Sequence, residues 1–119
     1  MKTFQAIDAL GALAHEHRLA IYRLLVERGP EGLSAGAVGE RVGLLPSSLT
    51  FHLQTLQRAG LITQARASRQ LIYSADFSAM NALVGYLTDN CCAASGARCD
   101  TGCKPAAQAV RTAKRRRAA

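Results

Sequence analysis

The sequence predicts a mainly α domain with a small β-hairpin wing. Three observations predict it. Apolar residues recur at helical spacing in four stretches before residue 60 and in one after residue 76. Two β-prone runs, 61–66 and 69–74, flank a short polar tip and read as a hairpin. Residues 34–59 hold a short helical stretch, a two-residue gap and a longer helical stretch, which is the helix-turn-helix pattern. A basic hairpin after that pattern makes the winged version.

The elements follow in order. Phe4, Ile7, Leu10 and Leu13 recur every three residues and suggest a first helix. A second runs from about His17 to Glu27 with Leu19, Ile21, Leu24 and Leu25, and Gly29-Pro30-Glu31-Gly32 ends it. Ser34 can cap a third, short helix with Val38 and Val42 inward, and Gly43 closes it. Leu44-Leu45 leads to Pro46, which suits a first helical turn. That fourth helix reaches Ala59 with Leu49, Leu53 and Leu56 as its buried stripe, and Gly60 stops it. The hairpin turns at Ala67-Ser68. Asp76 can cap a last helix with Phe77, Met80, Val84 and Leu87 on one face, and that helix is expected to run straight into Cys91.

A chain of 119 residues is one domain plus tails, small enough that dimerisation is a natural source of extra burial. The expected division is a DNA-binding and dimerisation domain over 1–90, a cysteine-rich segment over 91–103 and a basic, disordered tail over 104–119. The first residues are too polar for a signal peptide, and no apolar run approaches the ~18 residues of a membrane span. A cytoplasmic protein without membrane contact is expected. The net charge of +7 is uneven. Six of the fifteen Lys and Arg lie in 104–119, which has no acid, so nine basic residues face eight acidic ones over 1–103. Lys114 to Arg117 can add unspecific phosphate attraction, although such runs are more often solvated ends.

A second asymmetry lies inside the domain. From Arg41 to Ala75 there are four arginines and no Asp or Glu, a footprint for a polyanion. Placed at ~100° per residue, the fourth helix turns Ser47, Phe51, Gln54, Thr55 and Arg58 away from its leucine stripe, with Ser48 and Thr50 flanking them. Double-stranded operator DNA is the expected partner. Ser47, Ser48, Thr50 and Gln54 would make polar base contacts and Phe51 an apolar one to a thymine methyl. Arg58 belongs to the same face. His52 lies at the border of the stripe and is as much a packed histidine as a base reader. Arg66, Arg69 and Gln70 would meet phosphate or a minor groove.

All four cysteines lie within Cys91-Cys92-Ala-Ala-Ser-Gly-Ala-Arg-Cys99-Asp-Thr-Gly-Cys103. Packing cysteines would be scattered through apolar segments, whereas thiols gathered on a small, polar segment can converge on one soft ion. Adjacent Cys91 and Cys92 are expected to diverge and not to form an unstrained disulfide. Cys99 is within reach, and trivalent arsenic or antimony takes three thiolates, so Cys91, Cys92 and Cys99 are the first choice. Cys103 can replace Cys99, or complete a four-thiolate site for cadmium or zinc. Arg98 would help keep the thiols ionised. Idle thiols, or a switch by oxidation or persulfide, are the other readings. No acid/base constellation of an active site is visible, and no enzyme is predicted.

Ala12-Leu13-Ala14-His15-Glu16-His17-Arg18-Leu19-Ala20-Ile21 and Thr50-Phe51-His52-Leu53-Gln54-Thr55-Leu56-Gln57-Arg58-Ala59-Gly60-Leu61-Ile62 resemble the second-helix and recognition-helix signatures of the ArsR/SmtB family of metal-responsive repressors. The resemblance covers about residues 4–92. It implies a homodimeric winged-helix repressor that pairs through its first and last helices and releases DNA on binding a metal or metalloid. Two standard ligand sets of the family are missing. Residues 33–40 hold no cysteine, and 77–89 hold no histidine. What remains resembles a branch of arsenite sensors with a Cys-Cys pair at the end of the last helix and a further cysteine beyond.

Overall fold

The computed structural model describes residues 1–94. They contain, in order, α1 (Thr3–Leu13), α2 (Glu16–Arg28), β1 (Leu33–Ser34), α3 (Ala35–Val42), α4 (Pro46–Arg58), β2 (Ile62–Ala67), β3 (Gln70–Ala75) and α5 (Phe77–Leu87). Two compact units are present. One spans Lys2–Met80, and the second takes over at Asn81 within α5. The expected helix, helix, short helix, helix, hairpin, helix order is the observed one, and the fold is a winged helix-turn-helix.

Local chemistry sets the boundaries. The ring of His15 caps α2 by accepting from the His17 N–H at 3.1 Å, and Gly29 ends that helix at φ +89. Ser34 Oγ accepts from the Ala37 N–H at 3.2 Å and starts α3. Gly43, in the left-handed region, stops it. Pro46 occupies the first turn of α4, where its missing N–H costs nothing. Asp76 Oδ1 accepts from the Ala79 N–H at the start of α5.

Three antiparallel strands lie in the order β1-β3-β2. Sequence periodicity misses β1, because two residues carry no pattern. Gly32 explains why it docks there. A Cβ on Gly32 would meet the Tyr73 carbonyl oxygen at 2.5 Å, so only glycine lets Leu33 pair with Tyr73. The hairpin is in register from Ile62↔Ala75 to Ala67↔Gln70, which leaves Ser68 and Arg69 as a two-residue turn. The tip is therefore one residue later than Ala67-Ser68.

The core of the first unit is aliphatic. Ile21 and Leu25 from α2, Val38 from α3, Leu53 and Leu56 from α4, and Leu61 are almost fully buried. Each such side chain contributes ~1.5–3 kcal/mol through burial. In two helices large apolar residues of the sequence stripe are exposed. In α1 the buried residues are Ala6, Ala9 and Ala12, while Phe4 and Ile7 are each 62% exposed and Leu10 is also exposed. The three-residue spacing located the helix, and its large apolar residues lie on the side turned away from the core. In α5 the buried residue is Leu83, and Val84 and Leu87 are exposed. No helix of the described residues is long and apolar enough to cross a membrane.

Candidate nucleic-acid interface and thiol segment

The helix-turn-helix is built by a close approach of α3 to α4. A Cβ on Gly39 would lie 3.2 Å from Leu49 and 3.3 Å from the Leu44 carbonyl oxygen, so a larger residue would push the two helices apart. Leu49, Leu53 and Leu56 then anchor α4 from its inner side. On its outer side Ser47, Ser48, Thr50, Phe51, Gln54 and Arg58 are all exposed, and Thr55 is half-buried. Ser47, Ser48 and Gln54 are thus displayed as the helical projection predicts. Thr50 is partly engaged already, since its hydroxyl donates to the Pro46 carbonyl at 2.9 Å. Its oxygen keeps lone pairs for an incoming donor. Thr55 does the same to the Phe51 carbonyl at 3.0 Å.

Arg66, Arg69 and Gln70 are exposed on the wing. Arg69 sits in the turn itself beside Ser68, whose φ is +59. Gln64 donates to the Tyr73 hydroxyl at 2.8 Å, and the Thr63 and Ser74 hydroxyls share a hydrogen bond at 3.1 Å. These cross-strand bonds stiffen the wing that carries the arginines.

His52 faces inward and is only 8% exposed. It is the packed member of a cluster whose other members the sequence pattern did not single out as interacting. Its ring centroid lies 4.7 Å from that of His15 and 5.9 Å from that of His17. Arg18 donates from Nε to the Ala12 carbonyl at 2.6 Å and places NH1 3.5 Å from His52 Nδ1. Burial first, then the charges of His15, Arg18 and His17, hold the His52 imidazolium pKa below its ordinary value. The His-x-His spacing at the start of α2 was the available signal for this cluster.

The thiol segment differs from expectation. α5 ends at Leu87, so the helix does not reach Cys91. Thr88 turns its hydroxyl back to the Val84 carbonyl at 2.9 Å, and Asn90 adopts φ +59, a backbone state asparagine tolerates better than most residues. Two tight turns follow, closed by Cys91 N–H to Thr88 O at 3.1 Å and Ala93 N–H to Asn90 O at 3.0 Å. Cys92 is left-handed at φ +66. Cys91 is half-buried, Cys92 is exposed, and neither is in a disulfide. Desolvation, then the neighbouring Cys92, pushes the Cys91 thiol above its ordinary pKa. Among the described residues no group of three or more His, Cys, Asp or Glu side chains is arranged to hold a metal ion. Cys99, Cys103, Arg98 and the basic tail from Lys104 lie outside the described residues.

Comparison with known proteins agrees with this architecture. Residues 13–65 match a family described as a helix-turn-helix domain. The HTH-type transcriptional regulator YgaV of Escherichia coli is 34% identical over 88 residues, covering 74% of this chain and 87% of that protein. The transcriptional activator HlyU of Vibrio cholerae is 30% identical over 83 residues, covering 70% of this chain and 74% of that protein. Its solved structure superposes with a TM-score of 0.59 over 73% of this chain and 97% of HlyU. NolR from Sinorhizobium fredii, 34% identical, superposes with a TM-score of 0.57 over 71% of this chain and 82% of NolR. With α4 exposed on its outer side and followed by a wing, and with relatives such as YgaV matched over most of both chains, the chain belongs to the winged helix-turn-helix family of HTH-type transcriptional regulators.

Proposed function

We propose that the protein is a homodimeric transcriptional repressor whose hold on operator DNA is released when trivalent arsenic or antimony binds its C-terminal thiolates. The observation that carries the metalloid half is the turn at 88–93. It sets two adjacent thiols outside any disulfide, Cys91 half-buried and Cys92 exposed, on a tight turn with left-handed backbone at Asn90 and Cys92. A large thiophilic centre bridges such a pair, and Cys99, or Cys103 in its place, would supply the third thiolate. Because the metalloid-free Cys91 thiol has a raised pKa, binding displaces a proton there. The DNA half rests on the exposed outer face of α4 and the arginine-bearing wing, within a stretch lacking any acid from 41 to 75. Dimerisation is supported by the exposed apolar faces of α1 and α5.

The two halves are one statement about free energy. A metalloid that weakens DNA binding must bind the DNA-free dimer more tightly, and DNA must weaken metalloid binding by the same factor. Such couplings are ~5–150-fold. The test is a fluorescence-anisotropy titration of reduced protein on its own upstream DNA, with arsenite, cadmium and zinc added separately. Release by arsenite at a low ratio to protein, with little effect of zinc, is expected. Cys99→Ser should still bind DNA and lose the arsenite response. Tight binding unaffected by all three ions would reject metalloid sensing. Release by oxidant or persulfide alone would assign the same cysteines to a redox switch.

A further inference from the structure

The start of α4 departs from the usual capping preference at one exposed residue. Leu45 is the N-cap of the helix, a position where Ser, Thr, Asp or Asn is preferred and where this chain makes no side-chain cap. It is also 74% exposed. Single exposed leucines are ordinary on protein surfaces, so exposure alone decides nothing. Here, however, a stabilising cap is forgone and an apolar group displayed at the end of the helix that enters a DNA groove. The backbone that carries it is also fixed. Residues before proline are confined to extended backbone, and Leu45 at φ −71, ψ 153 is held there by Pro46.

One turn and a half further on, Phe51 is 58% exposed. Between Leu45 and Gln57 there is no Lys, Arg, Asp or Glu, and His52 is turned inward. A shallow cavity of about 410 Å³ opens beside Leu45, lined among others by Gly36, Gly39, Leu44, Leu49 and Thr50, with Glu40 also in its wall. It extends the apolar surface that Leu45 begins. The commonest specific contact in a major groove, Arg or Lys to guanine, is not available from this part of the helix. The one apolar feature a base pair shows there is the thymine C5 methyl.

We propose that Leu45 is a specificity-determining residue that seats on a thymine methyl, with Phe51 on a second. The half-site is then chosen by methyl contacts and hydroxyl or amide hydrogen bonds rather than anchored on guanine. This rests on the DNA-binding reading given above, and the experiment separates the two. Duplexes are enriched from a randomised library with the full-length reduced protein. The winner is resynthesised with deoxyuridine in place of thymidine, one position at a time. Deoxyuridine keeps every hydrogen-bonding edge and lacks only the methyl.

At two half-site positions the wild type should bind the deoxyuridine duplex about four-fold more weakly, as expected for one methyl buried. Leu45→Ala should lose that discrimination at one position, and Phe51→Ala at the other. Leu45→Asn provides a helix cap, so it should melt no lower than wild type while also losing discrimination. That separates reading from folding. Indifference of the wild type to every deoxyuridine substitution, or full discrimination retained in Leu45→Ala, would overturn the inference and leave DNA binding intact. Enrichment of no duplex at all would remove the DNA-binding reading and this inference together.

Discussion

His52 sits on the recognition helix yet points away from the face that would touch DNA. Its neighbours from the packed elements are His15 and His17 at the start of α2 and the Arg18 guanidinium. Glu16 lies between the two histidines in sequence and is exposed. The site resists a proton, so the imidazolium pKa is lower folded than unfolded. Its contribution is therefore fully present above the unfolded value of ~6.5 and is lost as pH falls from there through the lowered folded value. Urea unfolding between pH 7.5 and 5.5 should show stability declining on the acid side. His52→Gln should flatten that decline; an unchanged pH dependence in the variant would assign it to other groups. On the outer side, charge does a different job. Arg66 and Arg69 are exposed on the wing, and replacing both with Ala should weaken binding to all sequences. The plot of log affinity against log salt should become shallower by about 0.9 for each phosphate that is no longer neutralised. An unchanged slope would remove the wing from the DNA interface.

The wing as an element carries a defect that its turn makes visible. Ser68 has φ +59 at the first of two turn residues, and Arg69 does not share that sign. This is the sign pattern of a type II′ turn, where glycine is the usual first residue. A side chain there costs ~1 kcal/mol or more. Ser68→Gly should raise stability by about 0.5–1 kcal/mol in thermal or urea unfolding; a drop would show that the Ser68 hydroxyl holds the turn. Elements of this kind also mark how far the sequence could be read. Helices with chemical punctuation were legible to within a few residues, because Ser34, Gly43, Pro46 and Asp76 each solve a local hydrogen-bond or backbone problem. β1 was not, since its pairing depends on what Gly32 permits against Tyr73 and on nothing within Leu33-Ser34. The end of α5 was misplaced, because apolar spacing up to Leu87 says nothing of Thr88 bonding back to Val84. The outer face of α4 was legible from its leucine stripe alone. The turn that carries Cys91 and Cys92 was not, because it depends on a left-handed Asn90 and Cys92 that no pattern announces.

For the whole molecule, α1 is the most consequential departure. A helix normally buries its large apolar side chains, and this one buries three alanines instead. Small residues let it lie close against its own domain, while Phe4, Ile7 and Leu10 are left outward. A second copy of the chain is the occupant that the proposed function requires. Ile7→Asp, placing a charge in that face, should shift the protein to a monomer in sedimentation velocity and weaken operator binding. A variant that sediments as the wild type would exclude α1 from the dimer interface. If that face joins two chains, abundance becomes a signal in its own right. Below the dissociation constant of the pair, the number of complete reading units rises with the square of the amount of chain. Halving expression then cuts them about four-fold by mass action. A promoter under such control would respond to dilution at cell growth as well as to its inducer, and would do so more sharply than in proportion.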